Sequence, residues 1–138
     1  MSNRTRLVLM LVASVGVMML TGCQTHEQKE IACLQGTWEG TKDGLKTNLT
    51  FSGNHFELRG DVKNHASGIF KINIKSDPKG MDFNIEKHTF RNNVGIRPGI
   101  YKIEDNELFI VVSNKLGGGR PWEFEDGDGG TMAVLTKQ

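Results

Sequence analysis

The feature that most constrains the fold is a succession of short segments in which apolar and polar residues alternate with a period of two. Such segments recur between residues 34 and 137, and clusters of glycine, asparagine and aspartate separate them. A period of two places alternate side chains on opposite faces of a β-strand. One apolar and one polar face per strand is typical of antiparallel sheets that are wetted on one side. The sequence therefore predicts an all-β fold.

Individual segments show how the strands follow one another. Leu49 and Phe51 share one face of a segment, and Phe56 and Leu58 share a face after the turn at residues 52–54. Consecutive hairpins with a single apolar face close most simply as a barrel, because closure removes exposed strand edges. We therefore expect an antiparallel barrel of about eight strands, preceded by a short N-terminal helical turn.

Residues 1–22 have the anatomy of an export signal. Arg4 and Arg6 precede an uninterrupted run of apolar and small residues at positions 7–20. This run fits the apolar region of a secretory signal, about 7–15 residues, better than a membrane-spanning helix of roughly 20 residues. We expect the segment to be removed from the mature protein.

The end of this segment is a leucine, two small residues and a cysteine at positions 20–23. The pattern resembles the lipobox of bacterial lipoproteins, which implies cleavage between Gly22 and Cys23 and lipidation of Cys23. Two or more acyl chains anchor a protein stably in a membrane. Gln24 replaces the aspartate that often retains such proteins at an inner membrane. We therefore expect a lipid-anchored protein of the cell envelope, at the outer membrane and facing the periplasm rather than at the inner membrane.

The expected organisation is a removed signal peptide (1–22), a lipidated tether (23–34) and a barrel domain (35–138). Thr25 and Gln28 fit a helix capping box, which places the helical turn in the tether. Removing 22 of the 138 residues leaves 116, and the loss of two arginines lowers lysine plus arginine from 17 to 15, against 16 acidic residues. This near-neutral balance, without a basic block, argues against a nucleic-acid partner.

Lipidation of Cys23 leaves Cys33 without an intramolecular partner. An unpaired cysteine in an exported protein can form an intermolecular disulfide or remain a reactive thiol. Cysteine is also often a small buried residue, and we expect that role for Cys33.

Three longer pieces of sequence occur in a defined order: LQGTWEG at 34–40, GIYKIEDNELFIV at 99–111 and GGGRPWEF at 117–124, with SDPKGMDF at 76–83 between the first two. Together they resemble an uncharacterised lipocalin-like family that is common in planctomycetes and related bacteria. The resemblance covers roughly residues 34–137 and implies a small lipocalin-like barrel with no established activity. Its signature positions are Gly36, Thr37, Trp38, Gly99, Tyr101, Arg120, Pro121 and Phe124.

Trp38 matches the lipocalin tryptophan that follows the glycine of the first strand. In lipocalins this tryptophan closes one end of the barrel beneath a basic side chain. The resemblance therefore implies that Arg120 or Lys137 covers Trp38.

The glycine-rich stretch at residues 116–124 raises the question of a phosphate-binding loop. Such a loop requires a helix N-terminus after the glycines. Here Pro-Trp-Glu-Phe predicts an extended strand instead, and the nearby glutamates would repel an anion. We interpret the stretch as a hairpin connection in which Trp122 or Phe124 plugs the barrel and Arg120 pairs with an aromatic ring or a carboxylate.

No other motif predicts catalysis or metal binding. The acidic segment 125–130 lacks the ligand spacing of an EF-hand, and no serine lies in a nucleophile motif. Glu39 and Glu57 are candidates for a carboxylate pair in the barrel mouth, but no spacing fixes their separation. The histidines lack the spacing that places two ligands on one face; they are His26, His55, His65 and His88. We expect no enzyme activity, catalytic residue, metal or cofactor.

The first functional hypothesis is binding of a small apolar or amphipathic ligand inside the barrel. Eight-stranded barrels are sometimes just wide enough for side chains to fill, so a solid interior is the alternative. The residues expected to line the ligand site are Trp38, Leu49, Phe51, Phe56, Phe70, Ile72, Phe83, Tyr101 and Ile110.

The second hypothesis is a protein-interaction or inhibitor module of the periplasm. It would act through two exposed loops that contain Arg-Pro, at residues 92–99 and 115–120. A cavity larger than roughly 300 Å³ favours the ligand hypothesis. A solid core with an exposed aromatic or arginine patch favours the interaction hypothesis.

Overall fold

A computed structural model of the chain describes residues 25–42, 44–60 and 64–138. The expected signal peptide, its cleavage position between Gly22 and Cys23, and the lipidated Cys23 lie outside these residues. One short helix precedes eight antiparallel strands that form a closed barrel. The all-β antiparallel barrel expected from the alternation, and the lipocalin-like architecture that the resemblance implied, are therefore confirmed.

The strands form a continuous meander in which each strand pairs with the next one along the chain. The last strand returns to the first, with Trp38 opposite Lys137 and Glu39 opposite Thr136. A sheet closed in this way has no free edge. The strands are β1 Gly36–Lys42, β2 Leu45–Ser52, β3 His55–Arg59, β4 His65–Asn73, β5 Gly80–His88, β6 Gly95–Glu104, β7 Glu107–Ser113 and β8 Gly130–Lys137.

The connections alternate between the two ends of the barrel. At one end, which we call the closed end, Asp105 and Asn106 join β6 to β7 in a tight turn with φ angles of 47° and 68°. A two-residue type I′ turn requires this left-handed conformation at both positions, and aspartate and asparagine tolerate it. The other end, which we call the open end, carries the β5–β6 connection with a 3₁₀ turn at Arg91–Asn93 and the long β7–β8 connection at residues 114–129.

Helix α1, His26–Leu34, packs against the closed end. Its capping box forms as predicted, because the Gln28 N–H donates to Thr25 Oγ1 at 3.1 Å and the Thr25 N–H donates to Gln28 Oε1 at 3.0 Å. Leu34 is fully buried and Ile31 packs on the same core. The helix therefore packs on the base of the barrel. Because β1–β8 pairing closes the sheet and α1 covers one end, the described part of residues 25–138 contains the closed barrel together with its core.

Cys33 is exposed, so the expectation of a buried cysteine is wrong. The helix presents Ile31 and Leu34 to the barrel, and Cys33 lies on another face. Its backbone carbonyl accepts a hydrogen bond from Lys137 Nζ at 3.2 Å.

Two connections differ from the sequence expectation. Residues 95–99, expected in an exposed loop, belong to β6, because pairing with β5 and β7 on both sides overrides the local preference of glycine and proline for loops. The strand expected at Pro-Trp-Glu-Phe does not form, and the β-pairing of residues 114–129 is limited to an isolated bridge from Gly127 to Gly130, the first residue of β8. The closed barrel offers no edge to which a further strand could add.

Candidate functional site

The inward side chains change in size along the barrel axis. Towards the closed end the interior is filled by large buried residues, namely Trp38, Phe51, Phe70, Met81, Tyr101 and Leu108. Towards the open end several inward positions carry small residues, namely Gly40, Thr47, Gly60, Ala66, Thr131 and Ala133. Because the small residues do not fill the space between the strands, a cavity of about 840 Å³ opens at this end. We call it the barrel cavity.

The wall of the barrel cavity is mainly apolar. Phe56 and Phe83 form an edge-to-face pair in it, with ring centroids 4.9 Å apart. The volume falls within the range of about 300–1,000 Å³ that is usual for small-molecule sites. The apolar wall residues are Leu49, Phe56, Leu58, Ala66, Phe83, Ile85, Ile110, Val112, Ala133 and Leu135.

The sequence-predicted lining divides into two groups. Leu49, Phe56, Phe83 and Ile110 line the barrel cavity. The remaining residues do not line it, because their strand positions place them in or beside the packed interior at the closed end, where Phe51 and Phe70 meet edge-to-face at 4.7 Å. These residues are Trp38, Phe51, Phe70, Ile72 and Tyr101.

Polar groups surround the mouth of the cavity. Arg97, on β6, donates from Nη1 to the Ser113 carbonyl at 3.0 Å. His88 accepts the Phe90 N–H at Nδ1, at 2.9 Å, which leaves the proton of the neutral ring on Nε2. The cavity thus combines an apolar interior with a hydrogen-bonding rim.

Glu39 and Glu57 do not form a carboxylate pair in the mouth. Since Trp38 and Phe56 point inward, the residues that follow them point outward. Glu39 pairs with Lys46 on the outer surface. Glu57 Oε1 contacts Arg59 Nε at 2.6 Å and His65 Nε2 at 3.2 Å. The hydrogen bonds from Arg59 and then His65 lower the pKa of Glu57 below its usual range.

At the closed end, the carboxylate of Glu30 on helix α1 accepts two hydrogen bonds from side chains of the barrel. Its Oε1 accepts Lys79 Nζ at 2.9 Å and the Tyr101 hydroxyl at 3.1 Å. Tyr101 is almost completely buried. Burial, followed by the neighbouring Glu30 carboxylate, raises the pKa of Tyr101 well above its ordinary value. These contacts fasten the helix over the base of the barrel.

Trp38 closes the base of the barrel as the resemblance implied. Its Nε1 donates to the Leu34 carbonyl at 2.8 Å, and Lys137 Nζ lies 5.4 Å from the ring centroid. Lys137, not Arg120, is therefore its basic cover. Gly36 begins β1 with φ at +107°, a conformation that favours glycine, and Thr37 faces outward, where its hydroxyl lies 3.0 Å from that of Thr50.

Arg120 instead fastens the β7–β8 connection to the outside of the barrel. Its Nη1 donates to the Gly99 carbonyl at 2.8 Å and forms an ion pair with Asp82 Oδ1 at 2.6 Å, so the expected carboxylate partner is present. Pro121 is buried, and a Cβ atom added at Gly130 would lie 3.1 Å from its ring. Gly99 is similarly enclosed, because a Cβ there would lie 2.7 Å from the Val111 carbonyl oxygen.

Neither expected plug enters the barrel. Trp122 is 75% exposed. Phe124 lies outside the sheet, where Lys102 Nζ is 4.9 Å from its ring centroid and equally far from that of Phe109. The reason is geometric, because Arg120 and Pro121 hold the connection against the outer surface and direct it away from the mouth.

Within residues 25–42, 44–60 and 64–138, no three His, Cys, Asp or Glu side chains are grouped to hold a metal ion. Asp126, in the acidic segment, accepts the Met132 N–H at 2.7 Å. No helix in this part of the chain is long and apolar enough to span a membrane.

Arg97 was not predicted as a cavity residue, and neither were the small residues that create the space. The sequence Gly-Ile-Arg-Pro-Gly around Arg97 predicts a loop, so an inward position of Arg97 on a strand was not expected. A usable signal was present in the small inward residues, since β1 passes from Trp38 to Gly40 and β8 passes from Leu135 to Ala133.

The geometry defines a small barrel of lipocalin-like fold with a covered base and an open apolar cavity. Comparison of the chain with protein-family models, curated proteins and solved structures gives no match.

The buried Tyr101 predicts a specific pH dependence. The unfolded chain loses the tyrosine proton near the ordinary pKa of 10.0, while the folded chain retains it to higher pH. The stability contributed by Tyr101 is thus fully present below pH 10 and is lost as the pH rises above it. Relative to Tyr101→Phe, the free energy of unfolding should fall by about 1.4 kcal/mol per pH unit above that point.

Urea denaturation between pH 8 and 11 measures this difference. Since Tyr101 is the sole tyrosine of the chain, tyrosinate absorbance of the native protein provides an independent readout. Equal slopes for wild type and Tyr101→Phe, or tyrosinate absorbance at pH 10 before unfolding, would contradict the described burial.

Proposed function

We propose that the protein is a non-enzymatic, lipid-anchored bacterial envelope lipoprotein that binds a small apolar or amphipathic ligand in the barrel cavity. The observation that carries the proposal is the cavity itself, about 840 Å³ with a mainly apolar wall and one open end. Transfer of apolar surface from water into such a wall is favourable by about 25 cal/mol per Å². A ligand therefore gains free energy in proportion to the apolar area that it buries there.

The two ends of the barrel have different roles in this proposal. Helix α1 and Trp38 cover the base, so a ligand enters and leaves at the opposite end. The filled half of the interior supplies the stability of the fold, and the wall of the other half remains available for binding. The packed base is independent of the ligand, which allows an empty protein to remain folded.

A cavity-filling substitution tests the binding proposal. Ala133 lines the cavity on β8, and Ala133→Phe would place a ring in the space. The neutral probe N-phenyl-1-naphthylamine should fluoresce on binding to residues 24–138. Ala133→Phe should weaken its affinity at least about 10-fold, which corresponds to about 1.4 kcal/mol.

The matched control is Thr136→Phe on the same strand, since Thr136 is exposed on the outer surface. It should bind the probe as wild type does. Thermal unfolding of both variants checks that the fold is retained. If Ala133→Phe binds the probe as tightly as the wild type does, the probe binds outside the barrel cavity. If the wild type does not bind the probe, the cavity is not a carrier site.

The envelope location rests on the sequence of residues 1–23, with its basic start, apolar run and terminal cysteine. The resemblance to a lipobox and to lipocalin-like proteins behind export signals supports it. The two cysteines of the chain provide a matched test in a bacterial host supplied with labelled palmitate. Wild type and Cys33→Ser should incorporate the label and sediment with membranes, while Cys23→Ser should do neither. Labelling of Cys23→Ser would contradict lipidation at Cys23.

The second candidate is a protein-interaction or inhibitor module. One observation favours it: Trp122 is 75% exposed on the β7–β8 connection, and Phe90 and Ile96 are each 53% exposed on or beside the β5–β6 connection. Exposed aromatic residues are enriched at interaction surfaces. These residues lie near the two loops expected for this role, although residues 95–99 form part of β6. Failure of the probe to bind the wild type would favour this candidate.

A further inference from the structure

One inward position of β6 carries a charge. Going from the mouth towards the base, the inward residues of this strand are Arg97, Gly99 and Tyr101. Arg97 lies opposite Phe83 of the apolar wall. Gly99 is enclosed by neighbouring backbone and Tyr101 is buried in the packed base, so Arg97 is the residue of these three that lines the barrel cavity. The guanidinium group therefore stands at the boundary between the polar rim and the apolar interior.

Arg97 is incompletely partnered within the part of the chain that the structure describes. Its one hydrogen bond there runs from Nη1 to the Ser113 carbonyl, and it forms no ion pair with a described residue. By contrast, Arg59 and Arg120 form ion pairs with Glu57 and Asp82 on the outer surface. A guanidinium group has five N–H donors in a planar fork. Most donors of Arg97 are therefore available to a ligand.

The other titratable side chains in the cavity lining form no ion pair with Arg97 among the described residues. Asp126 accepts the Met132 N–H, and His65 contacts Glu57 on the outer surface. His88 is engaged at Nδ1 by the Phe90 N–H. The lining contains no lysine and no glutamate among the described residues. Asp126 is the one carboxylate among the described lining residues, and Arg97 thus stands beside the apolar wall without an ion-pair partner among them.

We infer that the barrel cavity takes an amphiphile with one apolar chain and one anionic head group, a carboxylate or a phosphate. Arg97 binds the head group at the mouth, and the chain extends along the apolar wall of the cavity towards Ile110 and Phe83. This inference rests on the proposed function and specifies its ligand class. Guanidinium groups bind carboxylate and phosphate oxygens through paired, charge-assisted hydrogen bonds. Such bonds are stronger where part of the surrounding water is excluded.

The test compares a charged and a neutral ligand of equal chain length. Isothermal titration of residues 24–138 at pH 8 gives the affinities for dodecanoate and dodecan-1-ol. Wild type should bind dodecanoate about 10-fold more tightly than dodecan-1-ol. Arg97→Gln keeps an N–H donor for the Ser113 carbonyl but removes the charge, so the preference should disappear while dodecan-1-ol still binds. Dodecyl phosphate in the same titrations distinguishes the two head groups.

Arg91→Gln is the matched control, because Arg91 is exposed on the same side of the molecule and does not line the cavity. It should retain the wild-type preference. A preference that persists in Arg97→Gln, or equal wild-type affinity for dodecanoate and dodecan-1-ol, overturns the inference and leaves the carrier proposal intact. Failure of all the probes to bind wild type overturns both.

Discussion

Closure of the sheet through the β1–β8 pairing determines which side chains share the interior. Once Trp38 points inward opposite Lys137, the alternation of every later strand is fixed relative to it, because a shift of one residue would expose the apolar face. Helix α1 depends on the same closure, since Leu34, Glu30 and Gln35 all contact barrel residues at the base. The base of the barrel is therefore the most strongly determined part of the molecule.

The cavity follows from how side-chain volume is distributed along the barrel axis. Large residues fill the half of the barrel at the closed end, where Trp38 lies, whereas Gly40, Ala66 and Ala133 leave the half at the open end unfilled. Protein interiors are normally packed to crystal-like density, so a space of this size at one end distinguishes this barrel from one whose interior is solid. The outer connection held by Arg120 leaves the mouth unplugged. Under the proposed function, one half of the barrel supplies stability and the other half binds the ligand.

The fold was predictable from the sequence because period-two alternation reports directly on antiparallel strands, and the capping box at Thr25 fixes the start of the helix. The position of Trp38 beneath Lys137 was also among the expected arrangements. The position of each inward residue along the barrel axis was harder to predict. Alternation shows whether a side chain faces the interior, but it does not show how far from the mouth or the base that side chain lies. Phe51 and Phe56 both point inward, yet only Phe56 reaches the cavity. Arg97 was expected in a loop, but pairing of β6 with its neighbours overrides the local preference of glycine and proline. Trp122 was a candidate plug of the barrel, but the Arg120 contacts hold its connection on the outer surface.

The central claim is that the open half of the barrel holds a ligand. Native mass spectrometry of residues 24–138, exported to the periplasm of a bacterial host and purified without detergent, tests it most directly. The account predicts a discrete added mass that disappears on organic extraction, with a fragment pattern showing one apolar chain and an anionic head group. A bare protein mass that stays unchanged after incubation with an envelope lipid extract would contradict it.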